Sequence, residues 1–228
     1  MRSLGLILSA LTVFAGTSGA FAAPFENAAS LCARTAKDGN VEACKSAVAA
    51  DRRDLTSREN LALAYLSLGD DEDCFQTHAE IVALAPDEGH AHFTYAAALS
   101  TFGRYDDAVP FIRTALRLSP DDLTTVQLAA LLFEMTRHND EAVAAFHRGA
   151  ELGDPILMFD LALAYARGLE GASDPVAARA WFERAAQAGH VTAMLRVSDM
   201  YRNGDGVPVD LAKAEAWAAR ARREGMAE

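Results

Sequence analysis

Six histidines, three cysteines and several short runs of carboxylates are the side chains here whose chemistry could go beyond packing. A helical zinc hydrolase places two imidazoles and a carboxylate on one face as His-Glu-x-x-His, and that string does not occur. His90 and His92 are two apart at an expected helix start, which points them to different sides. His78, His138, His147 and His190 have no second His or Cys at ligand spacing. Asp70, Asp71, Glu72 and Asp73 are contiguous, whereas a calcium loop alternates its acids and needs a central glycine and a closing Glu. Such a run suits the positive end of a helix dipole, and Asp106-Asp107, Asp121-Asp122 and Asp140-Glu141 repeat it at later helix starts. Gly204-Asp205-Gly206 supplies two glycines of a dinucleotide cradle, but the third would fall at Val209 and no strand is expected before it. Cys74 is expected at a crowded helix contact, not in a cleft, which gives no nucleophile. No catalytic, cofactor-binding or metal-binding residue is assigned, and any function must come from surface shape.

Composition narrows the partners. The chain carries 32 Asp and Glu against 21 Lys and Arg, a balance that repels phosphate backbones and argues against nucleic acid. Its hydrophobic content of 51%, mostly Ala and Leu, is that of closely packed helices. At the N-terminus, Arg2, the apolar run Leu4 to Phe14 and the small-x-small set Ala20-Phe21-Ala22 fit a signal peptide over residues 1–22, cut before Ala23. That run is shorter than the roughly 20 residues of a bilayer span, so a periplasmic or secreted protein is expected, with an uncleaved anchor as the rival. In such a compartment three cysteines allow one disulfide. Cys32 and Cys44 lie almost symmetrically about the turn signal Asp38-Gly39-Asn40, which sets them opposite each other in a helix pair. Closing that loop would contribute about 3 kcal/mol. Cys74 is left as a buried, inert residue.

The elements that carry these residues are set by two periods. Tyr165, Gly168, Asp174, Ala178, Trp181 and Gly189 each recur 36 residues later, as Tyr201, Gly204, Asp210, Ala214, Trp217 and Gly225. Earlier, Pro86 and Pro120 are 34 apart, with Leu61, Ala62, Tyr65, Cys74 and Ile81 before the first and Tyr95, Ala96, Leu99, Ala108 and Ala115 before the second. A third unit runs from about Leu123 to Asp154 with Ala129, Ala130, Phe133, Ala142 and Phe146 in the corresponding places. Fixed periods of this size mark stacked units that cannot bury an apolar face alone. Gly69 and Gly103 fall where a first helix must end in a left-handed residue; Arg137 stands at that place in the third unit, so a looser turn is expected there. Ala28 to Ala36 and Val41 to Ala50 form a short hairpin that caps the stack. About twelve helices follow from this layout: residues 1–22 as signal, 23–54 as capping hairpin, 55–153 as three units and 154–228 as two longer ones.

The 34-residue units resemble tetratricopeptide (TPR) repeats, whose small residues let two helices touch, although Arg58 and His92 replace that family's first large aromatic. The last two units resemble Sel1-type repeats, the second more closely through Tyr201, Gly204, Gly206, Val207, Asp210, Lys213, Ala214 and Trp217. Together the resemblances span Leu55 to Gly225 and imply an all-α fold, a right-handed α-solenoid of antiparallel helix hairpins. The TPR resemblance also implies a concave groove, lined here by Glu59, Leu63 and Leu66, then His90, Phe93 and Ala97, then Gln127, Leu131 and Met135. Lys and Asn, which clamp a carboxylate terminus in some relatives, are missing from it. An apolar helix or extended peptide of a protein partner is expected instead, with Phe93 and Met135 as anchors. The function so implied is a non-catalytic binding scaffold. Two alternatives stand beside it: an enzyme or inhibitor presenting a reactive loop around Arg167 to Asp174, and a cell-wall glycan binder using aromatics such as Trp181 and Trp217.

Overall fold

A computed structural model describes residues 28–169 and 171–225; the expected signal peptide and its cleavage site lie outside them, as does Glu170. Among the described residues there are twelve α-helices and no strand. A short hairpin comes first, α1 (Ala28–Thr35) and α2 (Val41–Ala50), joined through a 3-10 turn at Ala36–Asp38. Five longer hairpins follow: α3 (Leu55–Leu68) with α4 (Asp71–Leu84), α5 (Gly89–Thr101) with α6 (Tyr105–Leu118), α7 (Leu123–Met135) with α8 (Asn139–Glu151), α9 (Pro155–Arg167) with α10 (Pro175–Gln187), and α11 (Val191–Asn203) with α12 (Leu211–Gly225). Each helix packs chiefly on its neighbours in sequence, which is the contact pattern of a solenoid.

The carboxylate runs act where helix physics places them. Asp54, Asp70, Asp122, Asp154 and Asp174 cap α3, α4, α7, α9 and α10, each accepting from backbone amides of the first turn at 2.7–3.3 Å. Asp210 accepts from the Lys213 amide at 2.9 Å ahead of α12. Asp71, Glu72 and Asp73 occupy the first turn of α4, Asp106 and Asp107 that of α6, and Asp140 and Glu141 that of α8. Removing such a cap typically costs about 1 kcal/mol, so these acids are spent on helix starts.

Small residues set the helix spacing. Ala62, Ala96, Ala129 and Ala162 are buried on the first helix of successive hairpins, and Cys74, Ala108, Ala142 and Ala178 are buried on the second. Gly149 marks the tightest point, since a Cβ there would collide with the Leu157 side chain across the α8–α9 contact. One buried cluster runs from Cys32 to Ala164 and a second from Ala162 to Ala221; Met158, Tyr165 and Trp181 pack against both. Cys32 and Cys44 are disulfide-bonded with Cα atoms 4.6 Å apart, as their symmetry about Gly39 suggested. Cys74 is fully buried, and burial pushes its thiol up to about 11, which keeps it protonated and unreactive.

One turn differs from expectation. Arg137 does not loosen the α7–α8 connection: it takes the left-handed conformation itself, at φ 60°, the one non-glycine among the described residues to do so. The Arg137 amide donates to Glu134 O at 3.2 Å and the His138 amide to Phe133 O at 2.8 Å, matching Gly103 to Ser100 O (3.0 Å) and Arg104 to Leu99 O (2.8 Å). Closure of the hairpin evidently outweighs the steric cost of a Cβ in that conformation, about 1–2 kcal/mol.

Candidate functional site

The first helices of adjacent hairpins present equivalent positions to one side, and between α3 and α5 these enclose a cavity of about 250 Å³. Glu59, Leu63 and Leu66 come to it from α3, and His90, Phe93 and Ala97 from α5, so six of the nine expected groove residues meet in one place. Thr94, Ala98 and Thr101 complete the α5 wall, while His78 closes it from α4. Glu59 and His90 stand at an open edge, with Glu59 Oε1 3.7 Å from His90 Nε2, and the His90 ring lies roughly parallel to Phe93 at 6.3 Å between centroids.

His78 was not expected here, because the groove positions implied by the TPR resemblance fall only on the first helix of each unit. A signal existed: His78 follows Cys74 by one helical turn and therefore shares its buried face. Its ring stacks on Tyr95 at 5.5 Å with an interplanar angle of 9°. Burial pushes its pKa down to about 4, so it is neutral at physiological pH, and its Nδ1 is buried without a hydrogen-bond partner.

The third set of groove residues does not reach this cavity. Leu131 and Met135 lie further along the stack on α7, 51% and 53% exposed, and add apolar surface beside it. Gln127 is tied down, donating through Nε2 to Asp154 Oδ2 at 2.5 Å and so joining the α9 cap. Beyond α7 a much smaller recess of about 20 Å³ is bordered by Glu134, Asp160 and Arg167. Burial, with Glu134 and Asp154 adding negative charge, pushes the Asp160 carboxyl up to about 6 against the opposing pull of Arg167. Asp160 also went unnoticed in the sequence, although it is the one charged residue in α9 before Arg167.

The inner side changes character towards the C-terminus. Phe159 stacks on His190 at 4.5 Å and meets Phe182 edge-on at 5.5 Å. A separate cavity of about 450 Å³ there is lined by Arg196, Asp199, Asn203 and Asp205 along with Phe182 and Met200. The Arg167 to Asp174 loop is held by its own bonds. Asp174 Oδ1 accepts from the amides of Val176 and Ala177, the Asp174 amide donates to Tyr165 O at 2.9 Å, and the Tyr165 hydroxyl is 3.0 Å from His147 Nε2. Trp181 is half-buried between the His147 ring and the Arg184 guanidinium. The exposed large apolar side chains among the described residues are all aliphatic, and none is an aromatic platform.

Residues 155–190 and 191–226 each match the Sel1 repeat. No curated protein sequence matches the chain. Among solved structures, a Sel1 repeat protein from Oxalobacter formigenes is similar at 18% identity and a TM-score of 0.59, with 87% of this chain and 83% of that one covered. The structure from a functional characterization of Pseudomonas aeruginosa pilF gives 17% identity, coverage of 86% and 89%, and a TM-score of 0.61. YrrB, described as a TPR protein with an unusual peptide-binding site, gives 15% identity, coverage of 71% and 82%, and a TM-score of 0.57. At these identities the likeness is one of fold, an α-solenoid of TPR and Sel1 hairpins.

Proposed function

We propose that this solenoid, whose last two hairpins are Sel1 repeats, is a non-catalytic exported scaffold that holds a peptide or helix of a protein partner along α3, α5 and α7. The observation that carries the reading is the α3–α5 cavity, where six side chains implied by the TPR resemblance converge on one mostly hydrocarbon-walled space. A concave apolar site with a few polar groups at its edge is the usual form of a recognition pocket. Leu131 and Met135 extend the apolar surface along α7, giving an elongated partner several contact points instead of one. The peptide-binding site named for YrrB, which shares the fold, is in keeping with such a role.

Export to the periplasm or beyond is supported by the Cys32–Cys44 bond, since disulfides persist in oxidising compartments. No helix among the described residues is long and apolar enough to cross a membrane. The N-terminal pattern of Arg2, an apolar run and Ala20-Phe21-Ala22 points the same way.

Capture from an envelope extract tests the reading. The unaltered protein is expected to retain a partner that Phe93→Glu with Leu131→Glu releases, because charges on the apolar face must then be desolvated without pairing. Capture unchanged by that double substitution, in a protein that still melts cooperatively, would remove the groove.

A further inference from the structure

The α3–α5 cavity is smaller than the roughly 300–1,000 Å³ of small-molecule sites, and its size suits one large side chain. Its two threonines are already engaged. Thr94 Oγ1 donates to Ala91 O at 3.1 Å, and Thr101 Oγ1 donates to Ala97 O at 2.9 Å. Three side chains are unspent. Glu59 and His90, at the mouth, are 3.7 Å apart, too far for a hydrogen bond. His78, behind the gap between α3 and α5, is 6% exposed and held flat against Tyr95.

The chemistry of His78 decides what it can offer. A neutral imidazole carries one N–H. Nδ1 is sealed with no acceptor in reach, and buried donors are rarely left orphaned. The hydrogen is therefore assigned to Nε2, which makes no hydrogen bond among the described residues, on a ring that borders the cavity. The cavity is thus an apolar slot with the His78 donor on its α4 side and Glu59 with His90 at its rim.

Resting on the groove reading above, we propose that this slot takes a tyrosine of the bound segment, its phenol oxygen accepting from His78 Nε2–H, with a neighbouring lysine or arginine meeting Glu59. Leucine or phenylalanine would fill the hydrocarbon walls of Leu63, Leu66 and Phe93 but leave the His78 donor buried and unmatched. The chain's net charge of −11 favours a cationic partner.

The test is an NMR titration of the isotope-labelled, disulfide-bonded protein with capped dipeptides, acetyl-Lys-Tyr-amide against acetyl-Lys-Phe-amide. The tyrosine peptide is expected to shift the Leu63 and Ala97 amides and the His78 ring, and to bind about fivefold more tightly than its phenylalanine counterpart, the scale of one net hydrogen bond. His78→Phe, which keeps the stack on Tyr95, should erase that preference, and Glu59→Gln should weaken both peptides alike. Equal binding of the two peptides to the unaltered protein overturns the proposal, as do shifts that stay outside the cavity at millimolar peptide. If either occurs while Phe93→Glu with Leu131→Glu still releases the envelope partner, the groove stands and only the tyrosine slot falls.

Discussion

The hairpins around α3 and α5 and those from α9 to α12 share one architecture yet do opposite things with the same positions. At the fourth residue of each first helix the chain places Arg58 and His92, then Val126, then Met158 and Met194. In the N-terminal half the polar pair is buried: Arg58 is 8% exposed with Nε 3.5 Å from Glu80 Oε2, and His92 Nε2 lies 2.9 Å from Pro86 O. In the C-terminal half flexible thioethers sit there and Phe159, His190 and Phe182 pack the gap between hairpins. The backbone repeat fixes where a pocket can form, and the side chains decide whether it opens. On the proposed reading the N-terminal hairpins bind through a mostly apolar cavity, whereas the cavity of the Sel1 pair, though larger, is edged by Arg196, Asp199, Asn203 and Asp205.

The largest way to disturb the contrast is to uncap one end. Replacing Cys32 and Cys44 by serine should cost about 3 kcal/mol, and a solenoid that is stable by nearest-neighbour contacts should lose it mainly from α1 to α4. Hydrogen exchange checks this: protection should fall in the first hairpins and persist in α9 to α12. Equal loss throughout would mean the two halves melt as one.

Acid should act through His78 and Asp160 with opposite signs. His78 has a folded pKa of about 4 against an ordinary 6.5, so the stability it contributes is complete above pH 6.5 and is lost as pH falls towards 4. Asp160 has a folded pKa of about 6 against 3.8, so its ionised form opposes folding above pH 6, and stability is regained as pH falls from there towards 4. His78→Phe should flatten the acid sensitivity by about 2 kcal/mol across that window. Asp160→Asn should stabilise the protein at pH 7 by about 1 kcal/mol, a figure reduced because the carboxylate is only half-buried and water screens it. Urea melts of both variants at pH 7 and pH 4.5 give the comparison directly.

A smaller effect lies at the seam. Arg137→Gly should raise stability by about 0.5–1 kcal/mol by relieving the left-handed Cβ, without altering the inner face, as thermal melts can show. A destabilised variant would mean that the arginine side chain holds the turn.

Much of this was legible in the sequence because repeats constrain helices strongly. The 34- and 36-residue offsets of Pro86, Tyr165 and Trp181 with their counterparts placed the hairpins, and Asp38-Gly39-Asn40 placed the disulfide. The α3–α5 cavity was partly legible. The TPR resemblance implied its positions on those two helices, so Glu59, Leu63, Leu66, His90, Phe93 and Ala97 could be named together. His78 and Asp160 could not be placed from that rule, since a cavity's depth depends on what a second helix shows through a gap and on how far burial disfavours a charge. Arg137 was misjudged because hydrogen-bond closure of a hairpin competes with Cβ strain, and the sequence does not show which prevails.

The central claim is that a partner lies along the inner side of α3, α5 and α7. Site-specific photo-crosslinking in intact cells tests it most directly, with the reactive side chain placed in turn at Ala97, at Met135 and at the exposed Arg117 on the second helix of its hairpin. The account predicts one shared adduct from Ala97 and Met135 and none from Arg117; adducts from Arg117 alone, or equally from all three, would contradict it.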